Sequence, residues 1–260
     1  MYQRIHLYPI FLIKRFFISL GDYSLFLFKT FKTVRYWKIY LEYTLEQIFK
    51  LGVQSIPIII LTTLFSGMVV AVNFVYQVQE SYSVPTDIVG SIVGNSVLIE
   101  LSPMMVALVM TGKIGATITA ELGTMRVTEQ IDALESLSFD PLGFLVFPRI
   151  FATIIIFPMF IIIGNYCGVW GGMLAATESM QDLSKDEFFR GLEDWYIPWN
   201  ATFGIIKGTI FGFTITSVAC YKGYFIEGGA QGVGKATSDT VIISCIAIVI
   251  LNFLLGAFLL

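Results

Sequence analysis

The chain reads as an all-α integral membrane protein. It predicts an N-terminal interfacial amphipathic helix, five transmembrane helices, and a short cytoplasmic helix between the second and third spans. Three observations carry this. Of 260 residues 56% are hydrophobic and only 13% charged, against about 25% charged in an ordinary soluble domain. The mean hydropathy is +0.78. The apolar residues also gather into five stretches, each long enough for the ~20 residues that cross a bilayer.

The first unit, residues 1–50, carries eight Lys/Arg and three acids with aromatics interleaved throughout. Phe16, Leu20, Tyr23, Leu27, Phe31 and Val34 recur at spacings of three or four, an apolar stripe opposite the basic residues. That pattern suits a helix lying in the lipid headgroup layer. A signal peptide does not fit, because Asp22 breaks the apolar run and no small-residue cleavage site follows. A nucleic-acid arm is disfavoured by so many aromatics beside membrane spans. The second unit, 51–260, holds spans at 51–76, 88–112, 150–177, 195–221 and 240–260. Only Glu100 and Lys207 place charge inside them.

Between spans, 77–87 is a short outer loop and 178–194 a polar loop with six acids, Lys185 and Arg190. With the N-terminus inside, segments 1–50, 113–149 and 222–239 hold eight, three and two basic residues, and the outer loops hold two. The excess of Lys and Arg predicts a cytoplasmic N-terminus and a C-terminus on the far side. Gly164, Gly168 and Gly172, and again Gly204, Gly208 and Gly212, recur every four residues. Small residues at this spacing let helices pack closely in lipid.

Segment 112–149 is the one long polar interruption with helical patterning. Thr128 is expected to open a short helix, with Glu129 and Asp132 in its first turn and Ile131, Leu134 and Leu137 on one apolar face. From patterning alone it is either a docking element or a solvated connection. Glu100, midway through its span and next to Pro103, either faces a functional cavity or is a neutral, hydrogen-bonded carboxyl. Lys207 is the other intramembrane charge, and the two are expected either to pair or to mark the ends of a polar path.

Other chemistry is poorly supported. Cys167, Cys220 and Cys245 lie in or beside apolar spans without metal-ligand spacing, and His6 is the single histidine. No zinc site or histidine-based triad is expected. The string GAQGVGKA at 229–236 fits a phosphate-binding loop except for its last position, where Ala236 lacks a hydroxyl for Mg²⁺. It also lacks the soluble strand and helix such a loop requires.

Two strings make the chain recognisable. AELGTMRVTEQIDAL at 120–134 with DPLGFLVFPR at 140–149, and CYKGYFIEGGAQGVGKAT at 220–237, resemble the MlaE-type permease family. Its members are membrane subunits of ABC transporters that move lipid in double-membraned bacteria. The resemblance spans most of the chain beyond about residue 45. It implies that the 112–149 segment is a coupling element seated in a separate cytoplasmic ATPase. Glu121, Gly123, Thr124, Met125, Arg126, Thr128, Glu129, Gln130 and Asp132 would serve that contact. It also implies that 220–237 is a cytoplasmic loop with glycine-rich turns, where relatives commonly carry Arg in place of Lys235.

Ile99-Glu100-Leu101-Ser102-Pro103 resembles the family's RELGP segment, whose Glu lines the lipid pocket; Ile99 and Ser102 depart from it. Glu100, Pro103 and Lys207 are therefore the lipid-pocket candidates. The resemblance further implies a homodimer, a periplasmic MCE-domain protein and a small STAS-type regulatory subunit. Phospholipid would be the cargo and outer-membrane asymmetry the setting. The chain itself would bind no cofactor, with ATP and Mg²⁺ held by the ATPase. No metal site, no nucleic-acid partner and no enzyme activity of its own are expected. The competing reading is a stand-alone carrier or channel working through Glu100 and Lys207, without an ATPase.

Overall fold

The computed structural model describes residues 3–32, 40–79, 88–180 and 183–260, with side chains for all of these except 3–13, 15 and 16. Phe16, Val34, Glu80, Pro85 and Asp87 therefore lie outside the described side chains. The described residues fold into helices: α1 Gln3–Lys32, α2 Leu41–Gln47, α3 Ile56–Gln79, α4 Ile88–Ser96, α5 Ser102–Met110, α6 Ala116–Val127, α7 Gln130–Ser136, α8 Phe147–Ser179, α9 Lys185–Asp194, α10 Pro198–Tyr224 and α11 Gly229–Leu259.

Five helical runs are long and apolar enough to span: Leu41–Gln77, Ile88–Val127, Leu142–Ser179, Pro198–Tyr224 and Gly229–Leu259. The protein is thus an all-α, multi-pass membrane protein. Several runs outlast their apolar cores. The second has 40 residues, about 60 Å of helix against about 30 Å of hydrocarbon. Its far end continues past the apolar span as α6, packed against α10 and α11 through Ile118, Thr119 and Leu122, so much of the expected 112–149 connection is a helical continuation of the span. In the same way α11 begins at Gly229, and only residues 225–228 separate it from α10. The glycine-rich 220–237 string is therefore mostly helix. Its turn rests on Gly228 and Gly229, whose φ values of 93° and 66° suit residues without a Cβ.

Prolines shape the long runs. Pro57, Pro103 and Pro148 lack an N–H, so each frees the carbonyl four residues back: Val53, Ile99 and Phe144. Val53 lies in a 3₁₀ turn, Val53–Ser55, while Ile99 and Phe144 lie in π-helical turns, Val97–Leu101 and Leu142–Val146. Local 3₁₀ and π adjustments are how membrane helices accommodate such freed carbonyls. A further π turn, Thr111–Gly115, precedes α6.

Two apolar clusters hold the bundle. The larger includes Ile59, Val106, Met110, Ile118, Leu122, Ile131, Phe157, Phe211 and Ile215; the smaller gathers Val75, Val89, Val93, Met173 and Phe188 at the opposite end. Part of the expected polar loop 178–194 is helix α9. Ser184 caps it by accepting from the Glu187 amide at 3.2 Å, Asp186 and Glu187 occupy its first turn, and Phe188 is buried. The amphipathic α1 lies against α10 through Tyr23, Phe26, Leu27 and Thr30, while Leu20 and Phe31 of the expected stripe stay exposed. Tyr23 donates or accepts at Ser217 Oγ, 2.6 Å away. Burial raises the Tyr23 phenol above its ordinary value, and the Ser217 hydrogen bond partly offsets this.

Backbones meet directly where α3 crosses α8. A methyl on Gly67 would overlap the Gly168 carbonyl, and one on Gly171 the Leu64 carbonyl. Gly164 and Gly172 admit Ser102 and Val93; Gly204, Gly208 and Gly212 admit the Leu98 carbonyl, Ile161 and Phe157. The two glycine rows thus seat different neighbours. Gly67→Ala is expected to destabilise the protein by about 1–3 kcal/mol, since backbone must move. Gly256→Ala, with nothing within 4 Å, should be neutral or stabilising by up to about 1 kcal/mol. Thermal unfolding in detergent checks both; equal midpoints for the two variants would contradict this packing.

Candidate functional site: an intramembrane ion pair and a helical elbow

The intramembrane site grows from Pro103. Its missing N–H releases the Ile99 carbonyl, and Lys207 on α10 donates to that oxygen at 3.4 Å. The same ammonium meets Glu100 Oε2 at 2.5 Å. Lys207 is buried, with a side-chain exposure of 1%, whereas the Glu100 side chain is 44% exposed. One cation therefore satisfies a carbonyl freed by proline and neutralises a carboxylate in the next position. Phe203 adds its ring face 5.2 Å from Nζ, a favourable cation–π placement. Gly204 makes room for the close approach, since a methyl there would overlap the Leu98 carbonyl.

Asn252 on α11 completes the cluster, donating through Nδ2 to Glu100 Oε1 and lying 3.9 Å from Met104 Sδ. Its own Oδ1 is buried without a hydrogen bond among the described residues. Sequence reasoning missed this residue, although a lone amide in the apolar run 246–260 is a usable signal. The geometry offers a compensated charge pair whose carboxylate looks out of the chain. That arrangement can hold a polar headgroup without leaving the lysine unbalanced.

The second candidate lies at the far end of α6, where it meets α7. Thr128 does not cap α7 at its start. It ends α6 instead, its hydroxyl donating back to the Thr124 carbonyl at 2.8 Å, a common alternative for threonine in a helix. Glu129 then turns the chain with φ 60°, a left-handed conformation costly to a residue with a Cβ. Strain of this kind gathers at functional elements. Arg126 Nη1 bridges the elbow to Asp132 Oδ1 at 2.6 Å, and Gln130 donates to Thr128 at 3.0 Å. Ile131 is buried and Leu134 packs on the core, but Leu137 is exposed along with Val127 and Phe139. Glu135 accepts from Tyr224 at 3.0 Å, which ties α7 to the end of α10.

The expected coupling residues divide by position. Thr124, Thr128, Glu129, Gln130 and Asp132 are exposed on the elbow. Gly123 is buried against Ile226 and Val233, and Met125 packs on the core. Glu121 faces inward, to Lys50 at 2.6 Å and Arg149 at 3.3 Å. Arg149 is almost wholly buried, donates to the Leu145 carbonyl at 2.6 Å, and lies 5.9 Å from the Tyr43 ring centroid. Glu121 thus joins the approach to the first span and the start of α8 to α6. Lys50–Glu121 is solvent-screened and weak; the buried Arg149 makes its own pairing the stronger constraint.

Removing one member of the intramembrane pair strands the other. Glu100→Gln and Lys207→Met should each destabilise the protein, and the double variant should lose less than the sum, by about 0.5–3 kcal/mol. A double-mutant cycle on thermal stability checks this; strictly additive losses would sink the pairing.

Comparisons with known proteins agree with this architecture. The family model described as Permease MlaE matches residues 44–258. A probable ABC transporter permease protein of Rickettsia felis is 38% identical over 241 residues, covering 93% of this chain and 92% of the relative. The intermembrane phospholipid transport system permease protein MlaE of Haemophilus influenzae is 34% identical over 214 residues, covering 82% and 80%. The chloroplastic protein TRIGALACTOSYLDIACYLGLYCEROL 1 of Arabidopsis thaliana is 30% identical over 221 residues, covering 85% and 62%. With five spans, a helical elbow between the second and third, and a match over most of its length, the chain belongs to the MlaE permease family of ABC transporter permeases.

Proposed function

We propose that the chain carries phospholipid, or a similar amphiphile, between the inner membrane and a periplasmic MCE-type carrier protein. A separate cytoplasmic ATPase drives the movement from the α6–α7 elbow. The observation that carries this reading is the pairing of two features on one helical run, Ile88–Val127. Glu100 stands about a third of the way along its 40 residues and the elbow at its end. A groove that engages Val127, Glu129, Asp132 and Leu137 would pull on the helix that holds the lipid-facing carboxylate. The name of the Haemophilus relative, a phospholipid transport permease, supports the cargo class.

The elbow end is then cytoplasmic, which agrees with the excess of Lys and Arg on the N-terminal side. The exposed apolar face of α11, including Ile246, Val249, Ile250 and Phe253, fits a second copy or lipid, and a homodimer would enclose the half-exposed Glu100. ATP and Mg²⁺ belong to the partner. The 229–236 string forms the first turns of α11, which residues 225–228 join to α10. A small STAS-type subunit completes the assembly in this reading. Apolar walls with one compensated ion pair suit acyl chains below a polar headgroup.

Affinity purification with Glu129→Lys tests the coupling. The parent is expected to bring down an ATPase and bound phospholipid, and the variant to lose the ATPase by about tenfold or more, as for removal of a central contact. Retention of ATPase by the variant, or uptake driven by an ion gradient with no ATPase present, would overturn the reading in favour of a stand-alone carrier.

A further inference from the structure

Apart from the ion pair, the structure holds a cavity of 600 Å³ at the elbow end, lined by Asp22, Leu25, Phe26 and Lys29 of α1, Arg126, Glu135 and Leu142, and Tyr221, Tyr224 and Phe225. One wall is thus the amphipathic helix, the opposite wall is the elbow, and aromatic rings at the end of α10 form the rest. Phe26 packs edge-on to Tyr221 at 5.5 Å and Phe225 at 5.8 Å, which fixes α1 against this end. The cavity carries two acids and two bases, so its formal charge is balanced.

These charges are not all consumed within the chain. Arg126 uses Nη1 for Asp132, and a guanidinium has five N–H donors in all. Glu135 gives Oε1 to Tyr224 and keeps its second oxygen. Asp22 has no hydrogen bond or ion pair among the described residues. Asp22 and Lys29 stand two turns apart on α1, facing the same cavity. Beside them Phe17, Leu25 and Phe28 are exposed on the helix, at the depth where an interfacial helix meets acyl chains.

We propose that this cavity seats a zwitterionic headgroup, a phosphate ester joined to an ammonium, of a phospholipid in the leaflet on the elbow side. Lys29 and Arg126 receive the phosphate, while Asp22, Glu135 and the tyrosine rings receive the ammonium. The acyl chains run out over Leu25 and Phe28. An anionic headgroup without an ammonium would leave the two carboxylates facing a like charge and binds less well. The inference rests on the lipid-transport reading for the purpose of the bound lipid, but its binding needs neither ATPase nor ATP.

The test uses the full chain taken from nanodiscs holding equal amounts of phosphatidylethanolamine and phosphatidylglycerol with identical acyl chains. Native mass spectrometry counts the lipids retained. The parent is expected to hold the ethanolamine lipid in about tenfold excess, the scale of one or two charge-assisted contacts. Asp22→Asn and Lys29→Gln, both at exposed positions that should fold normally, are each expected to bring the excess close to unity. Lys235→Gln, an exposed charge outside the cavity, should leave it in place. Displacement by water-soluble glycerophosphoethanolamine at equal concentration would assign the site to a free metabolite rather than a lipid and overturn the proposal. So would equal retention of both lipids by the parent. Loss of ATPase co-purification in Asp22→Asn with the lipid excess intact would make this wall a protein-docking face instead. Loss of the ATPase in Glu129→Lys would leave this result untouched, so the two readings fail separately.

Discussion

A lysine ammonium held inside an apolar bundle has to be compensated, and the way Lys207 is compensated organises the middle of this protein. Its partners come from a single defect. Pro103 cannot donate, the ladder relaxes into a π turn, and the freed Ile99 carbonyl with the adjacent Glu100 carboxylate becomes a receptor for the ammonium. Gly204 lets α10 approach closely enough for the lysine to reach. Asn252 then brings α11 to the other carboxylate oxygen. Three spans therefore share one polar point, and the charge is neutralised while one side of Glu100 stays open. In hydrocarbon, where unpaired polar groups are costly, such a point specifies which helices meet.

The same helical run that bears Glu100 continues past its apolar span as α6, packed against α10 and α11. A shift at the elbow therefore reaches Glu100 along one helical run. Glu121 with the buried Arg149 holds the root of α6 against the third run, Lys50 adds a weaker, screened contact from the first, and Tyr224 with Glu135 holds α7 against the fourth. The π turn Thr111–Gly115 lies between the ion pair and the root, where a single displaced hydrogen bond lets a helix bend. The elbow buries Ile131 against the bundle while Val127, Leu137 and Phe139 stay exposed. An anchored inner face and an open apolar outer face suit an element that a partner grips.

Much of this was legible in the amino-acid order because lipid imposes simple rules. Apolar stretches of the right length mark spans, and Glu100 and Lys207 stand out as the only charges within them. What the order left open follows from tertiary effects. Helix ends extend beyond apolar spans because polar helices continue into water without penalty, so 51 and 240 mark changes of solvent rather than of backbone. Thr128 can bond forward as a cap or backward to Thr124, and local spacing does not choose between the two; in the structure it bonds backward. Asn252 is one amide in a long apolar run, and only the packing of α11 against the Val97–Leu101 turn gives it Glu100 as a partner. Helix α9 carried a readable signal in Ser184 and Glu187, masked by the acidic composition around it.

Central to the account is that Glu100 belongs to the lipid path while the elbow belongs to the drive. Simultaneous recording of ATP hydrolysis and phospholipid transfer by the reconstituted transporter separates the two. With Glu100→Gln the account expects hydrolysis to continue while lipid transfer per ATP falls by about tenfold, the scale of one lost charged contact. Unchanged transfer per ATP would contradict it, and would remove Glu100 from the path of the lipid.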